Sequence, residues 1–523
     1  MDYLIHHMLL SSTSRYPEKE ALVDVAQRLS YAESASRSGA IGRGLQNIGV
    51  RRGDRIGIWL ETSVQQSMAI LGASQSGGVF VPFNYILFPH QAGHIMQDCG
   101  TVGLITTKEK IAASLQVLEN LPSLRFLISV DGRPECDVKA PVYLLDEILS
   151  TEEGCLSRDL RIEKDLAAIL YTSGSTGKPK GVMLSHEQVM AGSSIVSDYL
   201  NITYNERIIG VLPLSFDAGL NQLMTAVQQG ATYVPMTFTF AREIVKTLER
   251  EQITGMAGVP TLWSLMAQPG SSLEKTALPH LRYITNTGGR MPQSILSALR
   301  NTLPKAQVFL MYGLTEAFRS TYLPPTELDR RPDSMGKAIP NTEILVVNEE
   351  GKLCKPGEVG ELVHRGPTVS MGYWGQPELT ARVLRPHPFL PPELGNEEKV
   401  CYSGDLVKMD DEGFLYFVGR RDTMIKSSGF RVSPTEVEEV LFQTGKLQEA
   451  AVIGLPDEIL GQAIKAFVVK RGGESVTEED LISYCAARLP RHMHPKIVQI
   501  LEFLPKTPSG KVDYPYLRRR ELP

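Results

Sequence analysis

The sequence predicts an α/β protein: parallel sheets with helices on both faces, then a small β-subdomain and a compact C-terminal unit. Three observations carry that expectation. Through the first two-thirds, short apolar runs alternate with stretches whose apolar residues recur at helical spacing. From about 336 to 419 the texture changes to short strands separated by turns. Beyond Arg421 and Asp422, two helix-start signals set off a further unit. A chain of 523 residues is long for one core, so two or more domains follow.

Taken in order, Leu4, Ile5, Met8 and Leu9 suit a short amphipathic helix lying on the body. His6 and His7 interrupt the apolar residues and no basic segment precedes them, so a signal peptide is not expected. Residues 56–60 read as a strand. Val64, Met68 and Leu71 then recur at i, i+4 and i+7, and 79–81 returns as a strand. The same βαβ rhythm runs from Val102 to Val130. It recurs from Ile208 to Met311, with strands near Tyr233, Gly255, Tyr283 and Phe309. In the β-subdomain, 343–347 and 414–418 are the clearest strands. In the last unit, a compact βαβ arrangement, Ser433-Pro-Thr-Glu436 reads as a capping box with proline at the first helical position. Thr477-Glu-Glu-Asp480 opens a second helix by the same logic. No long linker, repeat or low-complexity tract separates the units, so the boundary near Asp422 reads as a hinge between abutting domains.

Composition narrows the function. Hydrophobic and charged contents of 42% and 22% are those of an ordinary soluble globular protein, and a net charge of −5 gives no basic footprint for nucleic acid. The apolar runs are strand-length, so no membrane span is expected. The six cysteines are scattered without a CxxC pair, which fits reduced thiols and a cytoplasmic location. The pairs His6-His7 and His492-Met-His494 lack a Cys or acidic partner at zinc-ligand spacing.

The most informative stretch is Tyr171-Thr-Ser-Gly-Ser-Thr-Gly-Lys-Pro-Lys-Gly181, directly after the apolar run 166–170. Glycines let backbone N–H groups turn in around an anion, hydroxyls donate further hydrogen bonds, and lysines supply charge. This is a polyphosphate-gripping loop rather than the common P-loop. Gly174 and Gly177 enclose only two residues, and Pro179 stands where Ser or Thr should hold magnesium. Polar-glycine clusters follow other strands: Ser215-Phe-Asp217, Asn286-Thr-Gly-Gly289 and Tyr312-Gly-Leu-Thr-Glu316. Open α/β sheets bind ligands beyond such strand ends. Tyr312 offers a flat ring, Gly288 and Gly289 allow close backbone approach, Glu316 suits magnesium, and Asp405 sits on a turn where it can accept both ribose hydroxyls. Together with the loop they describe a nucleoside triphosphate site. Far along the chain, 505–513 present Lys511 as one extended cation after a Pro-rich turn.

These residues resemble the AMP-forming adenylating superfamily of acyl-CoA synthetases, peptide-synthetase adenylation domains and luciferases. The matching stretches are YTSGSTGKPKG (171–181), NTGGRMP (286–292), YGLTE (312–316), GEVGELVHRG (357–366), YSGD (402–405), GRRDTMIKSSGFRVSP (419–434) and PKTPSGKVD (505–513), in the family's order. GLTEAFRSTYLPP and DTMIKSSGFRVSPTEVEE are most similar to acyl-CoA ligases associated with exosortase systems. The resemblance implies a large N-terminal domain (1–421) of two stacked βαβ-type sheets plus a β-subdomain at about 336–419. A small mobile α+β C-terminal domain (422–523) would act as its lid.

It also implies two half-reactions using ATP and Mg²⁺. A carboxylate attacks the α-phosphorus and pyrophosphate leaves, then a thiol of CoA or of a phosphopantetheinyl carrier protein attacks the adenylate and AMP leaves. The roles implied for the phosphate loop fall on Thr172, Ser173, Gly174, Ser175, Thr176, Gly177, Lys178 and Lys180. Thr315 would contact the α-phosphate, Glu316 would bind magnesium, and Tyr312 would stack on adenine beside Gly288, Gly289 and Arg290. Asp405 and Arg420 would take the ribose, Lys511 would bridge carboxylate and α-phosphate, Asp422 would be the hinge, and Gly429 would open the thiol tunnel. Phe216 stands at the acyl gate. Asp217 binds a substrate ammonium, as in amino-acid-activating members, or caps the helix through Leu220, Leu223 and Val227. Arg319, on the loop lining the acyl pocket in relatives, meets a second substrate carboxylate, pairs with Glu316, or faces water.

The expected substrate is a small amino acid, with a short, medium-chain or aryl acid as the alternative. A luciferase-like oxygenase and a non-catalytic nucleotide-binding relative are the rival classes.

Overall fold

A computed structural model describes residues 2–150, 161–172, 179–394, 398–421, 423–427, 430–457, 460–507 and 510–521. Among the described residues the chain builds four sheets, of nine, eight, five and five strands.

The nine-stranded sheet is parallel through its centre. Gln307–Leu314, Tyr283–Asn286, Gly255–Gly258, Arg207–Gly210, Thr232–Pro235 and Glu20–Val23 run side by side. Antiparallel strands close its edges, Ala317–Leu323 among them. The eight-stranded sheet pairs Val79–Pro82, Arg55–Trp59, Gly103–Thr106, Phe126–Ser129 and Val142–Leu144 in parallel, with Leu166–Thr172 joining at Val79–Pro82. Its four central parallel strands, from Arg55–Trp59 to Phe126–Ser129, are buried on both faces, which explains their near-continuous apolar sequences.

One apolar cluster takes Ile56, Ile58 and Phe80 from the smaller of these sheets and Leu22, Ile208 and Tyr233 from the larger. Helices Tyr31–Asn47, Val64–Ser76, His186–Tyr199, Asp217–Gln229 and the first helix, Ile5–Arg15, add further members. The helix ends follow from local chemistry. Ser30 with Glu33, and Ser185 with Gln188, form capping boxes. Gly77 and Gly230 end their helices in the left-handed conformation, where a side chain would be strained.

The β-subdomain is an antiparallel sheet of Glu343–Val347, Val359–Arg365, Lys399–Met409, Leu384–Pro386 and Leu415–Arg420. The last sheet corrects the expected βαβ unit in part. Only Gly461–Lys470 and Ile497–Leu501 are parallel, joined through helix Glu478–Ala486, and the other pairings are antiparallel. Thr477 and Asp480 make the expected capping box. Ser433 does not: its hydroxyl donates to the Val418 carbonyl, tying helix Pro434–Phe442 back to the β-subdomain. Turned toward Val418 to donate, the hydroxyl makes no cap bond to the first helix N–H groups.

Candidate active site

The strand ends of the nine-stranded sheet and the rim of the β-subdomain bring the chemistry together. Tyr312 lies near the end of Gln307–Leu314, and its hydroxyl donates to Asp405 Oδ2 at 2.5 Å. Burial, then the Asp405 charge, pushes the Tyr312 hydroxyl far up, so it stays a donor. Asp405 is not on a turn as expected. It lies within strand Lys399–Met409, directly opposite Arg420, whose Nε stands 3.4 Å from Oδ1. A strand position fixes the carboxylate better than a turn does, and Gly404 just before it adopts φ 74°. His364 stacks beside Tyr312, ring centroids 6.1 Å apart and 14° from parallel.

Thr315 and Glu316 form the two-residue tip between Gln307–Leu314 and Ala317–Leu323, with Leu314 paired to Ala317. The hydroxyl of Tyr373 donates to Glu316 Oε1. Burial and the Glu316 charge raise the Tyr373 hydroxyl, which keeps its proton in that bond. This residue was missed from sequence, since nothing near Tyr373 marks it as a partner of a site 57 positions away. A carboxylate held this way fits magnesium, which takes one or two carboxylates and completes its shell with phosphate oxygens and water.

The phosphate loop joins two antiparallel strands, Leu166–Thr172 and Lys180–Ser185, with Thr172 opposite Lys180. Ser173, Gly174, Ser175, Thr176, Gly177 and Lys178 lie outside the described residues, as do Asp422 and Gly429. The strand leading into the loop is anchored by residues remote in sequence. Tyr171 donates to the Asp98 carboxylate at 2.5 Å, and the Trp374 indole donates to the Asp98 carbonyl at 3.1 Å.

Lys511 reaches this centre from the C-terminal unit. A methyl placed on Gly288 would stand 3.4 Å from Lys511 Cε and 3.9 Å from Nζ, and Gly288 itself has φ 76°. The position therefore combines a left-handed backbone with a lysine directly above it. The Gly289 carbonyl accepts from Asn286 Nδ2 at 2.8 Å. Arg290 is committed elsewhere: it pairs with Asp333 at 2.5 Å and with Glu439 on helix Pro434–Phe442, bridging the two units.

Phe216 and Asp217 begin helix Asp217–Gln229. Phe216 occupies the cap position with no side-chain cap, and Asp217 is the first helical residue. Asp217 is half-buried and its side chain has no hydrogen-bond or ion-pair partner among the described residues, so the capping alternative is reduced to a favourable dipole interaction. Asn221 and Thr225 follow at i+4 and i+8, a polar stripe that helical periodicity could have revealed.

Arg319 settles two of its alternatives. It is 4% exposed, so it does not face water, and Glu316 is held by Tyr373 instead of by Arg319. It also lies in strand Ala317–Leu323 rather than a loop, at a bulge, with φ 73°. Its Nη1 donates to Thr287 Oγ1 at 3.1 Å.

Residues 10–374 match the AMP-binding enzyme family and 436–511 match the AMP-binding enzyme C-terminal domain, so the chain belongs to that family. It is an AMP-forming acid–thiol ligase. The long-chain-fatty-acid–CoA ligase of Escherichia coli O157:H7 is 29% identical over 551 residues, spanning 98% of this chain and 93% of that one. The delta-poly-L-ornithine synthetase of Acinetobacter baumannii is 31% identical over 513 residues, covering 97% of this chain and 36% of that protein. The structure of ATP-bound MatB from Rhodopseudomonas palustris superposes with a TM-score of 0.84 at 26% identity, covering 99% of both chains. Among the described residues, no helix is long and apolar enough to cross a membrane.

Proposed function

We propose that the chain adenylates a small polar acid, an amino acid in the first instance, and passes the acyl group to a phosphopantetheine thiol. The observation that supports the adenylation roles is Lys511 lying over Gly288, at the end of a strand of the same sheet that carries Tyr312. The acid's carboxylate attacks the α-phosphorus of ATP and the bond to pyrophosphate breaks. Both reactants are anions, so the site must cancel repulsion where they meet. Lys511 does so as a compact charge able to reach oxygens of both reactants. Tyr312 supports adenine, Asp405 and Arg420 hold the ribose, Thr315 contacts the α-phosphate, and the loop from Thr172 to Lys180 grips the outer phosphates. Glu316 would hold magnesium, which screens phosphate charge. In the second step a thiol attacks the acyl carbon and AMP leaves. Asp422 would be the hinge that swings Lys511 away and brings Gly429 in, with 422–523 moving as a lid on 1–421.

The polar stripe Asp217, Asn221 and Thr225 favours a polar acid over a fatty one, because a half-buried carboxylate without a cation is costly and an ammonium supplies one. A relative named for poly-L-ornithine agrees with amino-acid activation. The CoA ligases among the relatives support CoA as acceptor, and a separate carrier protein offers the same thiol arm. The test is acid-dependent exchange of labelled pyrophosphate into ATP, screened across amino acids, short acids and fatty acids. Exchange only with fatty acids would overturn the substrate reading. Absence of exchange with every acid would overturn the enzymatic one.

A further inference from the structure

Arg319 is a buried guanidinium that no carboxylate among the described residues neutralises. Among the described residues its side chain has one partner, the neutral Thr287 hydroxyl, and its Nε has none. Burying a cation without a counter-ion is expensive, and the left-handed backbone at Arg319 adds strain for a non-glycine residue. Strain and an unpaired charge at one residue are tolerated where a ligand completes the arrangement.

The surroundings say what that ligand is. Arg319 lines a cavity with Asn221, Gln222, Thr225, Tyr283 and Thr285. Asn221 and Thr225 are each 1% exposed, and neither Asn221 Nδ2 nor Thr225 Oγ1 has a partner. The residues lining this space thus carry two unsatisfied N–H donors, one of them cationic, and a hydroxyl free to donate, against one unsatisfied acceptor, Gln222 Oε1. They ask for an anionic acceptor. The closed part of the cavity has room for little more than one water-sized group.

The cavity is next to the chemistry. Thr287, which receives the Arg319 hydrogen bond, precedes Gly288, over which Lys511 lies. The two cations are thus referred to neighbouring backbone positions about 3.8 Å apart. An acid held by one carboxylate under Lys511 would present its other end to Arg319 only if it were short.

We propose that Arg319 binds a second carboxylate on the acid being activated, so that the substrate is a short dicarboxylic acid, with or without an amino group for Asp217. This rests on the adenylating reading of the site and narrows its substrate class.

The experiment compares matched acids in pyrophosphate exchange by the full chain: aspartate with alanine, glutamate with 2-aminobutanoate, succinate with butanoate, glutarate with pentanoate. The wild type is expected to prefer the diacid of at least one pair by roughly 10²-fold in kcat/KM, because a site built to pair a charge rejects the analogue lacking it. Arg319→Met should abolish that preference by raising KM for the diacid while leaving the monoacid little changed. Without nucleotide, its Tm should equal or exceed that of the wild type, and the preferred diacid should raise the Tm of the wild type alone. Exchange with monoacids as good as with diacids would overturn this proposal and leave the ligase reading standing. Equal losses for both members of a pair in Arg319→Met would place the guanidinium on the reacting carboxylate and also overturn it. Should Arg319→Met fail to fold, the wild-type preference and Arg319→Lys, expected to retain part of it, decide the matter.

Discussion

Replacing Lys511 by alanine separates the two half-reactions. Lys511 lies within about a side chain's contact of Gly288, is exposed, and has no ion-pair partner among the described residues. Its charge is therefore available to the reactants. At a separation of about 4 Å, one charge pair is worth roughly 1 kcal/mol in bulk water and about 4 kcal/mol at an effective dielectric of 20. Water excluded by bound reactants would put the site nearer the second figure, and a loss of about 3–4 kcal/mol is roughly 10²–10³-fold in rate. Lys511→Ala should slow pyrophosphate exchange by that factor. Thioester formation from chemically supplied adenylate should change less than about threefold, since the charge repulsion belongs to the first step alone. Single-turnover measurements of each half-reaction give both numbers. A variant that adenylates at the wild-type rate, or that loses both steps equally, would refute this role for Lys511.

Three further outcomes are expected. Tyr373→Phe removes the donor that orients Glu316, and the apparent magnesium affinity in the exchange assay should weaken roughly 10–100-fold with the fold intact. Glu438 is half-buried, accepting from Val452 N and the Tyr514 hydroxyl, and the desolvation of its carboxyl lifts it from 4.5 to about 7. Its folded form holds the proton more tightly than the unfolded form, so this stability is complete below pH 4.5 and is lost as pH rises through 7. Glu438→Gln should remove a decline of about 3 kcal/mol between those limits, read by denaturant titration at pH 5 and pH 8. His364 has the opposite sign: burial drops it from 6.5 to about 3, and neither ring nitrogen has a partner. The wild type should lose stability as pH falls below 6.5, about 2 kcal/mol of it by pH 5 from this group, whereas His364→Leu should not. An equal pH 5 loss in both proteins would contradict this.

Much of the architecture was legible because it rests on local chemistry. The βαβ rhythm follows from strands buried on both faces and helices buried on one, and each polar-glycine cluster falls at or beyond a strand end. Where a local signal competed with a distant one, sequence reading failed. Ser433 fits a capping box, yet its hydroxyl serves Val418. The Arg290 guanidinium joins Asp333 to Glu439 across the two units, a pairing no local pattern announces. Tyr373, His364 and Asp98 act on the site from remote positions that no spacing rule connects.

The sequence by itself determined the reaction class, because phosphate loop, ring, acids and terminal lysine are set by residue type and order. Only the tertiary structure decided which charges are satisfied. Asp217, Arg319 and Glu316 carry the same formal charges in any fold. Their partners and their burial, which convert a charge into a binding requirement, exist only once strands of distant origin lie side by side.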